Sequence, residues 1–173
     1  MVGDLTIDVL TRRAAIQQVL TTYCRGIDRK DWALVLRCFH PDAVDSHGTV
    51  DGSAQDLVDW TRAKHERVLQ SMHVLTNISF LEEAPSSVVT ESYCTVRQTI
   101  ERPGKQPAHL SVGCRYVDRF ERRASAWLIA RRAVAYEWIQ HVQVDRDLLA
   151  ADASMPRSRR DLTDASYTMR SGA

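Results

Sequence analysis

The sequence has no apolar run approaching the ~20 residues that a membrane-spanning helix needs, so no membrane partner is expected. Its opening segment, MVGDLTIDVLTRRAAI, lacks the apolar stretch of a signal peptide, and a cytoplasmic location is the expectation. A C-x-x-C pair is missing. Cys24, Cys38, Cys94 and Cys114 lie far apart, which excludes the usual zinc spacings and suits free thiols better than a disulfide framework. No charge of one sign dominates either: the formal net charge is +1, too small to recruit nucleic acid. Basic residues cluster only in RFERR and PRSRR, without interleaved aromatics, as on a solvated surface. Also absent are G-x-S-x-G, the P-loop, G-x-G-x-x-G and H-E-x-x-H. With them go the nucleophile elbow and the common nucleotide and zinc sites, and no cofactor is expected.

What is present is an ordinary globular composition, 44% hydrophobic and 26% charged over 173 residues, enough for one domain with a substantial core. Residues 1–144 read as that domain. Residues 145–173 form a polar tail, either disordered or laid along a neighbouring subunit. Apolar residues at helical spacing (Ile16, Val19, Leu20, Tyr23, Ile27) predict a helix from about Asp8 to Arg25, weakened or ended by Gly26. A second helix fits Lys30 to Phe39, stopped by Pro41. AVDSHGTVDG reads as a short strand and turn. Ser53 with Asp56 resembles a capping box that opens a third helix through about Leu69. Beyond Gln70, four segments rich in β-branched and aromatic residues alternate with the turns APSS, RPGKQP and RRASA. Short turns between strands mean an antiparallel meander, and helices followed by strands give an α+β fold.

Three places could carry chemistry. Asp28 continues an i, i+4 row through Leu20 and Cys24, so its carboxylate could reach the core; it is equally placed to cap the second helix. His73 shares a strand face with Leu75 and Asn77, and a carboxylate meeting it would make a general-base pair. Arg131 and Arg132 point to opposite strand faces, so one faces inward, as an ion pair or as a group that polarises a substrate. His40, Asp42, Asp45 and His47 form the one metal-like cluster. No pair of them has a recognised ligand spacing, and a solvated turn accounts for them without a metal.

The segments YCRGIDRKDWALVLRCFHPDAVDSHG, MHVLTN, GCRYVDRFERR and AWLIARRAV together resemble a SnoaL-like protein of the nuclear transport factor 2 superfamily, over roughly residues 8–142. The resemblance implies a cone-shaped α+β barrel, with N-terminal helices packed on a strongly curved, mainly antiparallel sheet around a pocket. Members similar in the first helix include scytalone dehydratase, a hexachlorocyclohexane dehydrochlorinase and bile acid 7α-dehydratase. These use an Asp–His pair as the base of an elimination, and by motif position the pair here is Asp28 and His73. Tyr23 matches the tyrosine before that aspartate in the bile acid enzyme. Arg132 matches an arginine of the last strand, with Arg131 one register away. Where several dehydratases carry a pocket tyrosine, this chain offers His47.

The implied protein is a lyase or isomerase for a small hydrophobic cyclic or polyketide-like substrate, working as a homodimer or homotrimer. Asp28, His73, Tyr23 and Arg132 would be catalytic, and His47, Trp32 and Asn77 would bind substrate, with no metal. The alternative is a non-catalytic binding or assembly subunit, like the small subunit of ring-hydroxylating dioxygenases. That alternative expects a filled pocket and an Asp28 that does not touch His73. Fold alone does not decide between them.

Overall fold

The computed structural model describes residues 5–142 and 154–169. Helix α1 spans Ile7–Arg29 and is capped by the Thr6 hydroxyl, which accepts a hydrogen bond from the Val9 amide. Its buried stripe contains Ile16, Leu20, Tyr23 and Ile27, and Cys24 and Asp28 widen it by one row. Gly26 does not end this helix. The ladder continues until Lys30 turns left-handed, at φ 56°. The physical reason is a close crossing: a Cβ at Gly26 would stand 2.7 Å from Val35 Cγ2 and 3.2 Å from the Val35 nitrogen. The glycine admits the next helix instead of breaking its own.

That next helix, α2 (Trp32–Leu36), is shorter than the expected span from Lys30 to Phe39. It is capped by Asp31, whose Oδ1 accepts from the Leu34 amide at 2.9 Å. The cap is therefore Asp31, and the Asp28 carboxylate is left for another partner. Strands β1 (Phe39–Ser46) and β2 (Asp51–Ser53) follow. Helix α3 (Ala54–His65) opens on the expected capping box, in which Ser53 Oγ accepts from the Asp56 amide and Asp56 Oδ2 from the Ser53 amide. It stops short of Leu69, because Val68 already pairs with Ile100 across the sheet.

The long strands β3 (Val68–Glu83), β4 (Ser87–Ile100), β5 (Ala108–Arg123) and β6 (Ala126–Val142) form the antiparallel meander. The β5–β6 turn places Ala124 and Ser125 at φ 48° and 74°, the two-residue geometry that matches hairpin twist. Strand β1 joins β6 in parallel, which no local pattern announces, and the order becomes β2-β1-β6-β5-β4-β3. Register shifts in the β3–β4 and β5–β6 pairs, such as that between Gly113 and Cys114, sharpen the twist. The sheet curls without closing, with β2 and β3 as its edges, and the helices cover its concave face.

No described helix is long and apolar enough to cross a membrane. The expected domain boundary at residue 144 falls outside the described residues. The described part of the tail ends in α4 (Ala165–Thr168) and lies on α1 of the same chain. Arg25 stacks over the Tyr167 ring at 4.3 Å, and Arg29 meets Asp164 at 3.3 Å.

Candidate active site

Asp28, on the last turn of α1, meets His73 on β3, 45 residues later in sequence. His73 Nδ1 lies 2.6 Å from Asp28 Oδ1, and the His73 amide donates to Oδ2 at 2.9 Å. Ser71, two residues earlier on the same strand face, donates its hydroxyl to Oδ1 at 2.8 Å. Burial opposes ionisation of Asp28, but the hydrogen bonds and charge of His73, with the Ser71 hydroxyl, hold its carboxyl below the usual value. The ionised carboxylate accepts all three bonds, so His73 carries its neutral-state proton on Nδ1 and presents a lone pair at Nε2.

His73 stands in the wall of a cavity of about 900 Å³ between the helices and the concave sheet. The lining is mainly apolar and aromatic, with Tyr23, Ile27, Trp60, Val96, Leu110 and Tyr116 among its members. Tyr23 is buried edge-on to Phe39 and Tyr116, with ring centroids 5.9 Å apart in both pairs. Burial pushes its phenol well above the ordinary value, against the pull of Arg132, so the hydroxyl is a neutral donor near pH 7.

Arg132 differs from the expectation. It is the inward arginine of the pair, and Arg131 is exposed, yet it does not line the cavity. Fully buried, it makes a two-pronged ion pair with Asp118 at 2.7 and 2.8 Å. Its guanidinium lies 4.1 Å from the Tyr23 ring centroid and 4.3 Å from that of Tyr116. It therefore supports the cavity wall from behind. Asp118 was missed in the sequence: counting back from the β5–β6 turn sets it opposite Arg131, and the register shift between Arg119 and Phe120 brings it to Arg132.

His47 lines the same cavity, just past the end of β1. Its Nδ1 lies 3.1 Å from Oδ1 of Asp45, a buried carboxylate whose Oδ2 has no partner among the described residues. Of the histidines that line the cavity, His47 and His73 are each backed by an aspartate. His40 instead bonds the Glu121 carbonyl and Asp42 pairs with Arg123, so these two point away from the Asp45–His47 pair.

Trp32 is half-buried behind the wall, its ring edge-on to His65 at 5.9 Å, and does not line the cavity. Asn77 also stays outside. It is exposed at φ 49° within a register shift of β3, which throws the strand alternation off after Thr76. His65 and Gln98, which sequence patterns did not single out, do line the cavity, and Arg160 of the tail reaches His65 Nδ1. Their neighbours come from remote elements, so nothing local marks them. All four cysteines are buried and free.

The fold recurs in solved structures. A hexachlorocyclohexane dehydrochlorinase superposes with a TM-score of 0.73 at 15% identity, covering 82% of this chain and 95% of its own. A Novosphingobium aromaticivorans protein with a provisional assignment as a scytalone dehydratase gives 0.71 at 14% identity, covering 81% and 93%. A cystatin-like protein of unknown function from Nostoc punctiforme gives 0.58 at 17%, covering 78% and 96%. These likenesses speak for the fold alone. No curated protein matches the sequence. The sequence profile of the SnoaL-like domain matches residues 8–133, and the chain therefore belongs to the SnoaL-like domain family.

Proposed function

We propose that this protein is a cofactor-independent lyase or isomerase acting on a small, largely apolar cyclic substrate, with His73 as the base. The observation that carries the proposal is the Asp28–His73 contact at the wall of an open cavity, with Nε2 as the ring nitrogen left for a substrate. Asp28 fixes the tautomer and stabilises the imidazolium that forms when Nε2 takes a proton from carbon. In an elimination, the C–H electron pair becomes the new double bond while the leaving group departs with its own pair. His47, oriented by Asp45, supplies a proton to a departing hydroxide, and the Tyr23 hydroxyl donates to developing negative charge. Arg132 acts through the tyrosine rings it supports. In an isomerisation the same base returns the proton at another carbon.

The solved dehydrochlorinase and the provisional dehydratase lend support through their names, which belong to eliminating enzymes. The open cavity and the Asp28–His73 contact favour this reading over a binding or assembly subunit, for which a filled pocket and a separated pair are expected. We also propose a homodimer or homotrimer, because Trp138 and Met72 leave apolar surface exposed on the sheet. A monomeric mass in solution would refute that.

The direct test is a panel of cyclic ketones and alcohols, with and without a β-hydroxyl or β-halogen, incubated in heavy water. Magnetic resonance then reads both elimination and deuterium uptake at carbon. The wild type should process members of the panel, and His73→Ala and Asp28→Asn should each slow the reaction about 10²- to 10⁴-fold. A rate that survives His73→Ala intact ends the proposal.

A further inference from the structure

Arg160 lies outside the segment that matches the SnoaL-like domain, yet its guanidinium reaches beneath the wall that bears His73. Nε donates to the Asp28 carbonyl at 2.8 Å, and Nη1 donates to the Val68 carbonyl at 2.7 Å. Nη2 serves the Ile27 carbonyl at 3.0 Å and His65 Nδ1 at 2.8 Å. Arginine has donors and no acceptor, so His65 Nδ1 meets it with a lone pair, and the neutral ring carries its proton on Nε2. Burial, reinforced by the Arg160 charge, pushes the His65 imidazole down to about 3, so the ring is neutral near pH 7.

On its other side, His65 Nε2 lies 3.3 Å from Nε2 of the Gln98 side-chain amide, which would set one donor against another. An Nε2–H has to meet an acceptor there. The two ends of an amide exchange by a half-turn, and the chain of donors fixes which end faces the ring. After that half-turn the Gln98 carbonyl oxygen faces the His65 Nε2–H, and the NH2 group is the end that remains. Both residues line the cavity, and Trp32 packs edge-on against the His65 ring.

We propose that Arg160, His65 and Gln98 form a one-way hydrogen-bond relay that presents the Gln98 NH2 group to the cavity as a site for a carbonyl oxygen of the substrate. The inference deepens the lyase or isomerase reading and rests on it for the word substrate. Gln98 lies opposite Ser71 and Val96 opposite His73, so Gln98 and His73 are diagonal neighbours on the concave face. Such neighbours stand about 7–8 Å apart. An enolisable cyclic ketone spans that gap, its oxygen on Gln98 and the adjacent C–H at His73 Nε2. As the proton moves to Nε2, the C–H pair enters the carbon–carbon bond and the carbonyl pair moves to oxygen, where the amide donor meets the growing charge. The relay thus selects ketones over halocarbons or hydrocarbons of equal shape.

The test reads hydrogen bonds as well as turnover. In isotope-labelled protein, proton–nitrogen correlations of His65 should show the Nε2–H tautomer alone, without protonation between about pH 5 and 8. Arg160→Met should mix the two tautomers. Arg160→Lys, which keeps the charge but cannot serve four acceptors, should do the same if the methionine variant does not fold. Indanone should shift the Gln98 NH2 resonances and indane, the same skeleton without oxygen, should not. Gln98→Leu should weaken indanone about tenfold, the worth of one good hydrogen bond, and leave indane unchanged. A His65 that titrates in that range or carries Nδ1–H overturns the relay, and equal responses to indanone and indane overturn the oxygen site. Deuterium uptake unaffected by His73→Ala, in a protein whose Gln98 still answers indanone, would refute the base and leave the relay standing.

Discussion

Replacing Asp118 with alanine should cost more stability than most single changes in this protein. Asp118 and Arg132 are both fully buried and joined by bonds of 2.7 and 2.8 Å. Arg132 Nη1 already lacks a partner among the described residues, so no acceptor waits to replace the carboxylate. The Tyr23 and Tyr116 rings flank the guanidinium in the wild type as well and offer nothing new when Asp118 is removed. Stranding one member of a buried pair costs about 3–5 kcal/mol. For a chain of this size each kcal/mol lowers Tm by about 2–4 °C, so the midpoint should fall by about 6–20 °C. Urea and thermal unfolding followed by circular dichroism measure both quantities. Arg132→Met should be comparably harmful, because it strands the carboxylate. The double change Asp118→Leu with Arg132→Met should recover most of the loss, since neither charge then has to be desolvated. A loss for Asp118→Ala below about 1 kcal/mol, the worth of an exposed pair, would refute the reasoning. So would a double variant as damaged as the sum of the singles.

Acid should act through Asp28. Its native carboxyl is held below the usual aspartate value, so it contributes stability that is complete above that value and lost as pH falls through the native one. Urea unfolding at pH steps from about 6 to about 2 should show the wild type losing its advantage over Asp28→Asn below about pH 4; parallel curves would contradict this. Gly26→Ala should destabilise by about 1–3 kcal/mol through overpacking against Val35, although alanine is the better helix former by about 1 kcal/mol. A stabilised Gly26→Ala protein would show that the α1–α2 crossing is not tight.

Local patterns made much of the fold legible. The Ser53–Asp56 capping box, the apolar stripe of α1 and the four long strands all follow from spacings within a few residues. Gly26 misled because the reason for it is tertiary: it leaves room for Val35, which no propensity scale contains. Asp28 looked like the cap because the second helix was expected to start at Lys30; α2 starts at Trp32, and the cap falls to Asp31. The strand alternation put Asn77 beside His73, and it failed where β3 shifts register after Thr76. The Asp28–His73 contact was readable only through family resemblance, since helix and strand place it by their packing. Arg160 was out of reach, because its four acceptors come from α1, α3 and β3.

The position of β3 at the rim of the curled sheet has a cost and a use. Within a sheet, a strand gives its amides to neighbours on both sides; at a rim, alternate N–H groups are left over. The His73 amide is one of these, and Asp28 collects it. Were another strand to lie along β3, whether from a partner or from a misfolded copy, it would compete with Asp28 for that amide and pull the carboxylate out of place. Self-association by strand addition at this rim would therefore silence the site before it changed anything else in the molecule. The aspartate answers to that threat as well as to the histidine, for by claiming the amide it removes one rung from the ladder an intruding strand would climb.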